Sequence, residues 1–429
     1  MLAAADNDML TLTGPGAPMG QFFRRFWQPF ALSRELPKPD SPPIRVRLMG
    51  EDLVAFRDSR GRIGLLEPRC PHRGANLFYG RNEECGLRCV YHGWKFDVTG
   101  KAVELPNVPP DSRYHETIAV KAYPTREFGD IVWAYLGPPG RVPEVPQLEF
   151  GVVPAEQRFV TKKLQQCNWA QAVEGALDTC HFSFLHMPAP GVASNRNPAV
   201  AADETRMRWV RNDPMPRFSI VEHPVGFVAG GARKADGEDL YWRTTQFMLP
   251  AHATTPSTLP GENYFGYTFV PITDDSCWIY TYAWNPERPL SDAERAKFAA
   301  GHSVLAEVGP DYVPIRNRDN DYMIDRDEQK HRSFTGVRGV AEQDAMIQES
   351  QGGIADRTRE HLTPTDVAIV RFRRLLLAGA KALIEGREPE APWRDAAYRL
   401  RSGSWVAAAG VPFETVMKER FGDPIGAVV

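Results

Sequence analysis

Two short pairs of metal-binding side chains lie in the N-terminal part of the chain. Cys70 and His72 form a CxH pair, Cys89 and His92 form a CxxH pair, and sixteen residues separate the two pairs. Thiolates bind zinc or the iron of iron–sulfur clusters, whereas imidazoles bind zinc, iron or copper. Two such pairs on neighbouring loop tips can converge on one centre. Ligand identity alone therefore predicts either a structural zinc site or an iron–sulfur cluster.

A second group of metal-binding side chains lies in the segment NWAQAVEGALDTCHFSFLH, where Asp178, His181 and His186 fall within nine positions. The segment has a helical pattern, and residues three apart on a helix share a face, so Asp178 and His181 point the same way. His186 needs an irregular turn, with which Pro188 is compatible. Two histidines with one distant carboxylate form the facial triad of non-haem iron(II).

Rigid loops must hold the first four side chains, and the pattern around them predicts short strands. From Arg45 onward, alternating apolar runs such as IRVRLMG and DLVAFRD are separated by turn signals such as DSRGR. This alternation indicates antiparallel strands and hairpins. We therefore predict an all-β domain over residues 39–148, which ends in the proline-rich linker GPPGRVPEVP.

Residues 1–38 form an N-terminal segment with a helical pattern of aromatic residues. Its members would share one helical face, and Pro29 is expected to end or kink the helix. They are Phe22, Phe23, Phe26 and Trp27. We expect this segment to pack on the domain that follows residue 148.

Residues 149–429 mix helices and strands. After the helical segment around Asp178 come strand-like runs: RFSIVEH, DLYWRTTQFML and CWIYTYAW. A helix follows Thr363 and Pro364, which form a cap and first-turn pair. The chain as a whole is therefore predicted to be α+β, with two domains, as its 429 residues also favour.

Composition excludes several functional classes. The net charge of -3 and the absence of a basic block argue against nucleic-acid binding. No apolar run approaches the length of a membrane span. Asp6 and Asp8 stand where a signal peptide would need an apolar core, so we expect a cytoplasmic protein. The remaining cysteines lie off the ligand spacing and are expected to be free thiols: Cys85, Cys167, Cys180 and Cys277.

The loops around the first four ligands, CPHRGA and CVYHGWKFD, resemble the Rieske motif. The resemblance implies an all-β Rieske domain with a [2Fe–2S] cluster. Cys70 and Cys89 would bind one iron, and His72 and His92 would bind the other. Zinc, the alternative, would have to use the same four ligands.

The string DxxHxxxxH resembles the catalytic iron motif of the Rieske non-haem iron oxygenases. The resemblance implies a helix-grip catalytic domain, an antiparallel sheet around a long helix, with His181 and His186 as iron ligands. In that family a late helix supplies the carboxylate. The family's acid–Asp pattern best fits Gln343-Asp344, so Asp344 is the expected ligand and Asp356 the alternative.

The same resemblance implies a trimer in which cluster and iron cooperate across a subunit boundary. Asp178 would then accept hydrogen bonds from its own His181 and from a neighbouring subunit's His92, as a positioning group. A third iron ligand or a surface charge is the alternative role for Asp178. The sequence has no GxGxxG motif after a strand, so electrons are expected from a separate NAD(P)H-dependent reductase.

Within the family, the start LTLTGPGAPMGQFFRRFWQPFAL and the segment around Asp178 look most like the phthalate-dioxygenase-type branch. That branch implies a homotrimer or stacked trimers without a β subunit, and hydroxylation or O-demethylation of an aromatic acid with O2. A guanidinium would bind the substrate carboxylate, and the candidates are Arg243, Arg206 and Arg208. Asn168 is a further candidate for the substrate site, with an ordinary amide role as its alternative. A non-enzymatic electron carrier is the distant alternative for the whole chain.

Overall fold

The computed structural model of the protein describes residues 1–109, 111–192, 204–256 and 262–421. Strands dominate both halves of the chain. In chain order they are β1 (Trp27–Leu32), β2 (Ile44–Leu48), β3 (Glu51–Arg57), β4 (Ile63–Leu66), β5 (Arg81–Glu83), β6 (Gly86–Arg88), β7 (Lys95–Phe96), β8 (Ala102–Glu104), β9 (Thr125–Phe128), β10 (Ile131–Tyr135), β11 (Arg158–Gln165), β12 (Arg217–His223), β13 (Gly226–Lys234), β14 (Asp239–Met248), β15 (His252–Thr255), β16 (Tyr264–Thr273), β17 (Ser276–Trp284) and β18 (Ser404–Ala408).

The helices are distributed along the chain. They are α1 (Ala4–Thr11), α2 (Pro18–Phe23), α3 (Glu149–Val152), α4 (Trp169–Leu177), α5 (Glu204–Asn212), α6 (Asp292–Ala299), α7 (Arg326–His331), α8 (Val340–Ser350), α9 (Val367–Ile384) and α10 (Phe413–Phe421). Across the described part of the chain, no helix combines the length and the apolar character that crossing a membrane requires.

The first domain consists of three small antiparallel sheets. Their strand orders are β1-β10-β9, β2-β3-β4 and β5-β6-β7-β8. The last two sheets enclose a small apolar core that includes Phe56, Leu87 and Phe96 together with Cys70 and Cys89. The prediction of an all-β first domain is confirmed.

The helix predicted for the N-terminal aromatic residues is shorter than expected. It ends at Phe23, and Trp27 instead begins β1, where it pairs with Tyr135 of β10. Pro29 lies in this strand beside an irregularity in the pairing, because a residue without an N–H fits where the ladder is interrupted. The segment upstream of residue 39 therefore adds a strand to a sheet of the first domain.

The second domain is built on a large antiparallel sheet that grips α9. The strand order is β11-β17-β16-β15-β14-β13-β12, and β18 adds to β14. Phe372, Leu376 and Ala380 form the buried stripe of α9, and the ring of Phe372 meets Phe247 of β14 at 5.1 Å. This arrangement confirms the α+β class and the sheet around a long helix.

The helical segment around Asp178 ends earlier than its pattern predicts. Asn168 caps the start of α4, with its Oδ1 accepting from the Ala170 amide, and α4 stops at Leu177. Asp178 then accepts hydrogen bonds from the backbone amides of Cys180 and His181, and this side-chain cap competes with further helical turns. The prediction of one helix reaching toward His186 is wrong; a short 3-10 turn, His181–Ser183, replaces it.

A buried ionic network fastens α4 to its neighbours. Glu174 accepts from Arg357 at 2.9 Å and from Arg373 of α9 at 2.7 Å. Arg357 also donates to Asn7 of α1, and Arg373 to Glu360. Burial works to raise the pKa of Glu174, but the two guanidinium groups outweigh burial and lower that pKa.

We expect Arg357→Met to reduce the free energy of unfolding by about 3 kcal/mol or more, because it removes one partner of a buried charge. Denaturant titration followed by tryptophan fluorescence measures this. Since the folded-state pKa of Glu174 is lowered, its contribution is present above the unfolded pKa and is lost as pH falls through the folded value. The difference between wild type and variant should therefore shrink in acid. Arg359→Met, at an exposed position two residues away, should be neutral, and an equal loss in both variants would contradict the network's role.

Candidate metal centres and substrate site

The four ligands of the first predicted centre lie on two loops of the same design. In the loop after β4, the Cys70 amide donates to the Ala75 carbonyl and the Gly74 amide to the Cys70 carbonyl, both at 2.8 Å. In the loop after β6, Cys89 and Gly93 repeat this pattern with Trp94 and Cys89 as acceptors. Gly74 and Gly93 have φ values of 72° and 76°, a conformation that favours glycine. Each loop thus presents one Cys and one His at its tip.

The two loop tips converge. The imidazole rings of His72 and His92 lie 4.4 Å apart between centroids, and His72 stacks on Trp94 at 4.5 Å. Cys70 and Cys89 are buried free thiols, and burial, together with the neighbouring Cys89, raises the pKa of Cys70 to about 11.

This donor set fits a [2Fe–2S] cluster. His72 Nδ1 is buried and has no hydrogen-bond partner among the residues that the structure describes. A bare ring nitrogen beside two thiols is costly without a ligand, and a cluster bound by two Cys and two His would use all of these donors.

The second predicted centre brings three donors together from separate elements. His181 and His186 flank the 3-10 turn after α4, and Asp344 comes from α8. The two Nε2 atoms are 3.0 Å apart, and Asp344 Oδ1 lies 3.2 Å from the Nε2 of His186 and 3.6 Å from that of His181. Among the described residues, these three form the only group of at least three donors close enough together to hold a single metal ion.

The second donor set also fits a metal ion. His186 Nδ1 faces the Gln343 Oε1 at 2.7 Å, and His181 Nδ1 faces Asp178 Oδ2 at 3.5 Å, so both ring protons have acceptors on the Nδ1 side. With the ring protons on Nδ1, the two Nε2 lone pairs would point at each other and at the Asp344 carboxylate, an arrangement that a cation would stabilise. Donors about 2.1 Å from a shared ion are separated by distances of this size.

Charge reinforces this second group. Burial alone would lower the pKa of His181, but the carboxylates of Asp178 and Asp344 outweigh it and raise that pKa. Burial likewise works to raise the pKa of Asp344, and His186 and then His181 lower it. The two carboxylates of Asp178 and Asp344 therefore favour a positive charge at this centre.

Arg233 holds the turn that carries His181, a role that sequence reasoning missed. Its buried Nη2 donates to the Thr179 carbonyl at 2.6 Å, and its Nε donates to the Asp213 carbonyl at 3.2 Å. Burial, and after it the charge of Arg243, lowers the pKa of Arg233 to about 10. The only sequence signal for this structural role is the position of Arg233 in an apolar segment with a strand pattern.

Of the three predicted substrate-binding arginines, Arg243 lies beside the second centre. Its guanidinium carbon is 4.2 Å from the ring of Phe182, the neighbour of His181. Arg206 donates to the Ser404 hydroxyl, and Ser404 pairs with Arg243 across β14 and β18. Arg208 instead forms an exposed ion pair with Asp236, which does not favour a role in substrate binding.

The two remaining candidates have other partners. Asn168 is fully buried, and its Nδ2 donates to the carbonyls of Thr11 and Asp274, so its amide serves the fold. Asp356 is exposed and accepts from the amide and hydroxyl of Thr358. These contacts favour Asp344 over Asp356 as the carboxylate of the second centre.

The fold and the two donor sets define an iron-dependent oxidoreductase with one domain for electron transfer and one for catalysis. Residues 26–124 match the Rieske [2Fe-2S] domain family, and residues 134–396 match the family described as LigXa C-terminal domain like.

Two relatives match almost the whole chain. The chain is 39% identical to the phthalate 4,5-dioxygenase oxygenase subunit of Pseudomonas putida, over 90% of this chain and 88% of that protein. It is 34% identical to the 3-chlorobenzoate-3,4-dioxygenase oxygenase subunit of Comamonas testosteroni, over 98% and 99%. The chain belongs to the Rieske non-haem iron oxygenases, as an oxygenase subunit.

Two further matches are more distant. The 5,5'-dehydrodivanillate O-demethylase oxygenase subunit of Sphingobium sp. is 31% identical, over 92% of this chain and 85% of that protein. The NdmA QL mutant of Pseudomonas putida CBB5 with theobromine has the same fold, with a TM-score of 0.60 at 18% identity, over 88% of this chain and 96% of that one.

Membership of this family decides several predictions. Its cofactors are a Rieske [2Fe–2S] cluster and a mononuclear iron, and its electrons come from a separate reductase. The zinc site and the non-enzymatic electron carrier, the alternatives that the sequence left open, are therefore wrong.

Proposed function

We propose that this oxygenase subunit hydroxylates an aromatic carboxylate of the phthalate, isophthalate or benzoate type. The observation that carries the proposal is the buried guanidinium of Arg243 beside the second centre. When bound, the Rieske cluster supplies electrons and the mononuclear iron supplies dioxygen activation. The residues proposed to hold them are Cys70, His72, Cys89 and His92 for the cluster, and His181, His186 and Asp344 for the iron.

Arg243 is a buried cation that would be stabilised by a bound anion. Its side chain is 5% exposed, and its Nε and Nη1 atoms have no hydrogen-bond partner among the described residues. No ion pair of the described chain includes Arg243, and its neighbour Arg233 adds a second positive charge. Burying a charge without a partner costs free energy. A substrate carboxylate in this position would offset that cost.

The phenyl ring of Phe182 supports the same substrate class. It lies under the guanidinium of Arg243 and follows His181 directly, so a carboxylate bound by Arg243 would hold the attached ring beside the proposed iron ligands. Two relatives have names that specify aromatic carboxylates, phthalate and 3-chlorobenzoate.

O-demethylation of a methoxylated aromatic acid is the second candidate reaction. It would use the same residues, and the relative named 5,5'-dehydrodivanillate O-demethylase supports it. Oxygen uptake with a surrogate reductase across phthalates, chlorobenzoates and methoxybenzoates, followed by identification of the products, separates the two reactions. Uptake that is equal for acids and for their neutral methyl esters would count against both.

We expect Arg243→Gln to lower kcat/KM for carboxylate substrates about 30-fold or more, because truncating a buried charge partner costs at least about 2 kcal/mol. The methyl esters should lose little. Arg208→Gln, which removes an arginine already paired with Asp236 at the surface, is the matched control and should leave kcat/KM unchanged. If Arg243→Gln weakened acids and esters equally, the arginine would serve the fold and not the carboxylate.

Two complementary surfaces support a homotrimer. The cluster loops expose Val90 and Tyr91, with the guanidinium of Arg73 5.3 Å from the Tyr91 ring. A groove of about 440 Å³ beside Asp178 and His181 is bordered by Asp356, Glu360 and the exposed Ile347. A basic, aromatic tip thus matches an acidic groove with apolar patches.

In such a trimer, His92 of one subunit would meet Asp178 of the next. No β subunit is needed to complete this contact. The cytoplasmic location and the bounds of the domains stay predictions from the sequence.

A further inference from the structure

We infer that Gln343 is a positioning residue that fixes the proton of His186 on Nδ1. The backbone carbonyl of Val337 in turn sets the orientation of the Gln343 side-chain amide. The inference rests on the proposed role of His186 as an iron ligand. It adds a residue that is not itself a ligand and that holds one ligand in a single protonation pattern.

The direction of the hydrogen bonds follows from one carbonyl. Val337 O can only accept, so the atom of Gln343 that lies 2.7 Å from it must be the donor Nε2. The opposite atom, Oε1, then faces His186 Nδ1, also at 2.7 Å. An amide oxygen can only accept, so Nδ1 must carry a proton. In the neutral imidazole that binds a metal, Nε2 is then the unprotonated nitrogen, and it faces His181 and Asp344.

The frame around Gln343 leaves little freedom for another arrangement. Its side chain is 1% exposed, and its backbone amide donates to the Gly339 carbonyl in the first turn of α8. Lys163 of β11 donates to the Ala341 carbonyl at 2.9 Å and fixes the same turn to the sheet. Flipping the amide would set two acceptors, the Gln343 Oε1 and the Val337 carbonyl, against each other, so the contact with Val337 fixes the orientation.

The two imidazoles of the centre therefore have partners of different kinds. His181 Nδ1 faces a carboxylate, Asp178, at 3.5 Å, whereas His186 Nδ1 faces a neutral amide at 2.7 Å. On its Nδ1 side, His186 thus contacts an uncharged amide that is itself held by a backbone carbonyl. A glutamate at position 343 would keep an acceptor toward His186 but would add a negative charge and lose the donor to Val337.

Cobalt(II) binding tests this role without relying on turnover. The probe is Co²⁺ alone, measured by equilibrium dialysis against full-length protein that keeps its cluster and has lost its mononuclear iron to a chelator. We expect Gln343→Met to bind Co²⁺ about 10- to 100-fold more weakly, the usual cost of losing the partner of a metal-bound histidine. Gln343→Glu should bind at least as tightly as wild type. Asparagine is too short to make both contacts, so Gln343→Asn should bind Co²⁺ as weakly as Gln343→Met. This second variant keeps the test valid if Gln343→Met does not fold.

Gln348→Met is the matched control, because Gln348 is another buried glutamine of α8 and pairs with Gln165. It should bind Co²⁺ as wild type does. Wild-type affinity in both Gln343→Met and Gln343→Asn would overturn the role of Gln343, provided that His186→Ala binds weakly. If His186→Ala itself bound Co²⁺ like wild type, the iron-ligand proposal would fail instead, so the two failures are distinguishable.

Discussion

Asp344→Ala is expected to lose the mononuclear iron and all substrate-dependent turnover while it keeps the Rieske cluster. Asp344 supplies the only carboxylate oxygen that lies within 4 Å of both ring nitrogens in the described part of the chain. Without it, two neutral imidazoles must hold a divalent ion alone. The loss of iron affinity should exceed the factor of about 10 to 100 that follows from removing the hydrogen-bond partner of a metal ligand.

Iron content and the spectrum of the cluster measure this result together. The cluster loops belong to a separate small core, so the visible absorbance and the EPR signal of the reduced cluster should match those of wild type. Asp356→Ala is the matched control, since Asp356 borders the same groove and was the alternative ligand from the sequence. Retained iron in Asp344→Ala with loss in Asp356→Ala would reverse the assignment.

Asp178→Asn is expected to keep both metals and to lose turnover about 10- to 100-fold. An asparagine Oδ1 can still accept from the amides of Cys180 and His181, so the turn after α4 survives. The second oxygen becomes an NH₂ group that faces the Nδ1 proton of His181, so one acceptor is replaced by a donor. Burial works to raise the pKa of Asp178 and its contact with His181 lowers it, which marks the charge that the variant removes.

The measurement pairs metal analysis with the rate at which the reduced cluster is reoxidised by O2 in the presence of substrate. Three iron ligands remain, so iron content should hold while reoxidation slows. Glu360→Gln, another acid of the same groove, should affect this rate less. Loss of the mononuclear iron from Asp178→Asn would make Asp178 a ligand and would remove its positioning role.

The four proposed ligands of the first centre could be singled out from the sequence because each pair is local. Each Cys/His pair sits on one loop, and a glycine with positive φ closes each loop, so spacing alone brings the two donors of a pair together. Several strands of both domains were also predicted, since their alternating or continuous apolar runs are long compared with the turns between them.

The second centre depends on contacts that spacing cannot supply. Asp344 meets His186 across more than 150 residues, and only the resemblance to a family singled it out. The end of α4 was missed because helical periodicity continues past Leu177, whereas the Asp178 side chain stops the helix by taking two backbone amides. The sequence indicates Gln343 only as the neighbour of Asp344. The hydrogen-bond partners of its side-chain amide depend on the folded structure and cannot be predicted from spacing.

The N-terminal segment has a further consequence for how the two domains behave. Within a few residues, α2 packs Phe22 and Phe23 against α9 and Trp169 of the catalytic domain, and β1 then pairs with β10 of the cluster domain. A proline-rich linker alone would leave the domains free to rotate. We expect this double attachment to restrict rotation between the domains, so that the proposed cluster ligands keep a constant separation from the proposed iron ligands of the same chain.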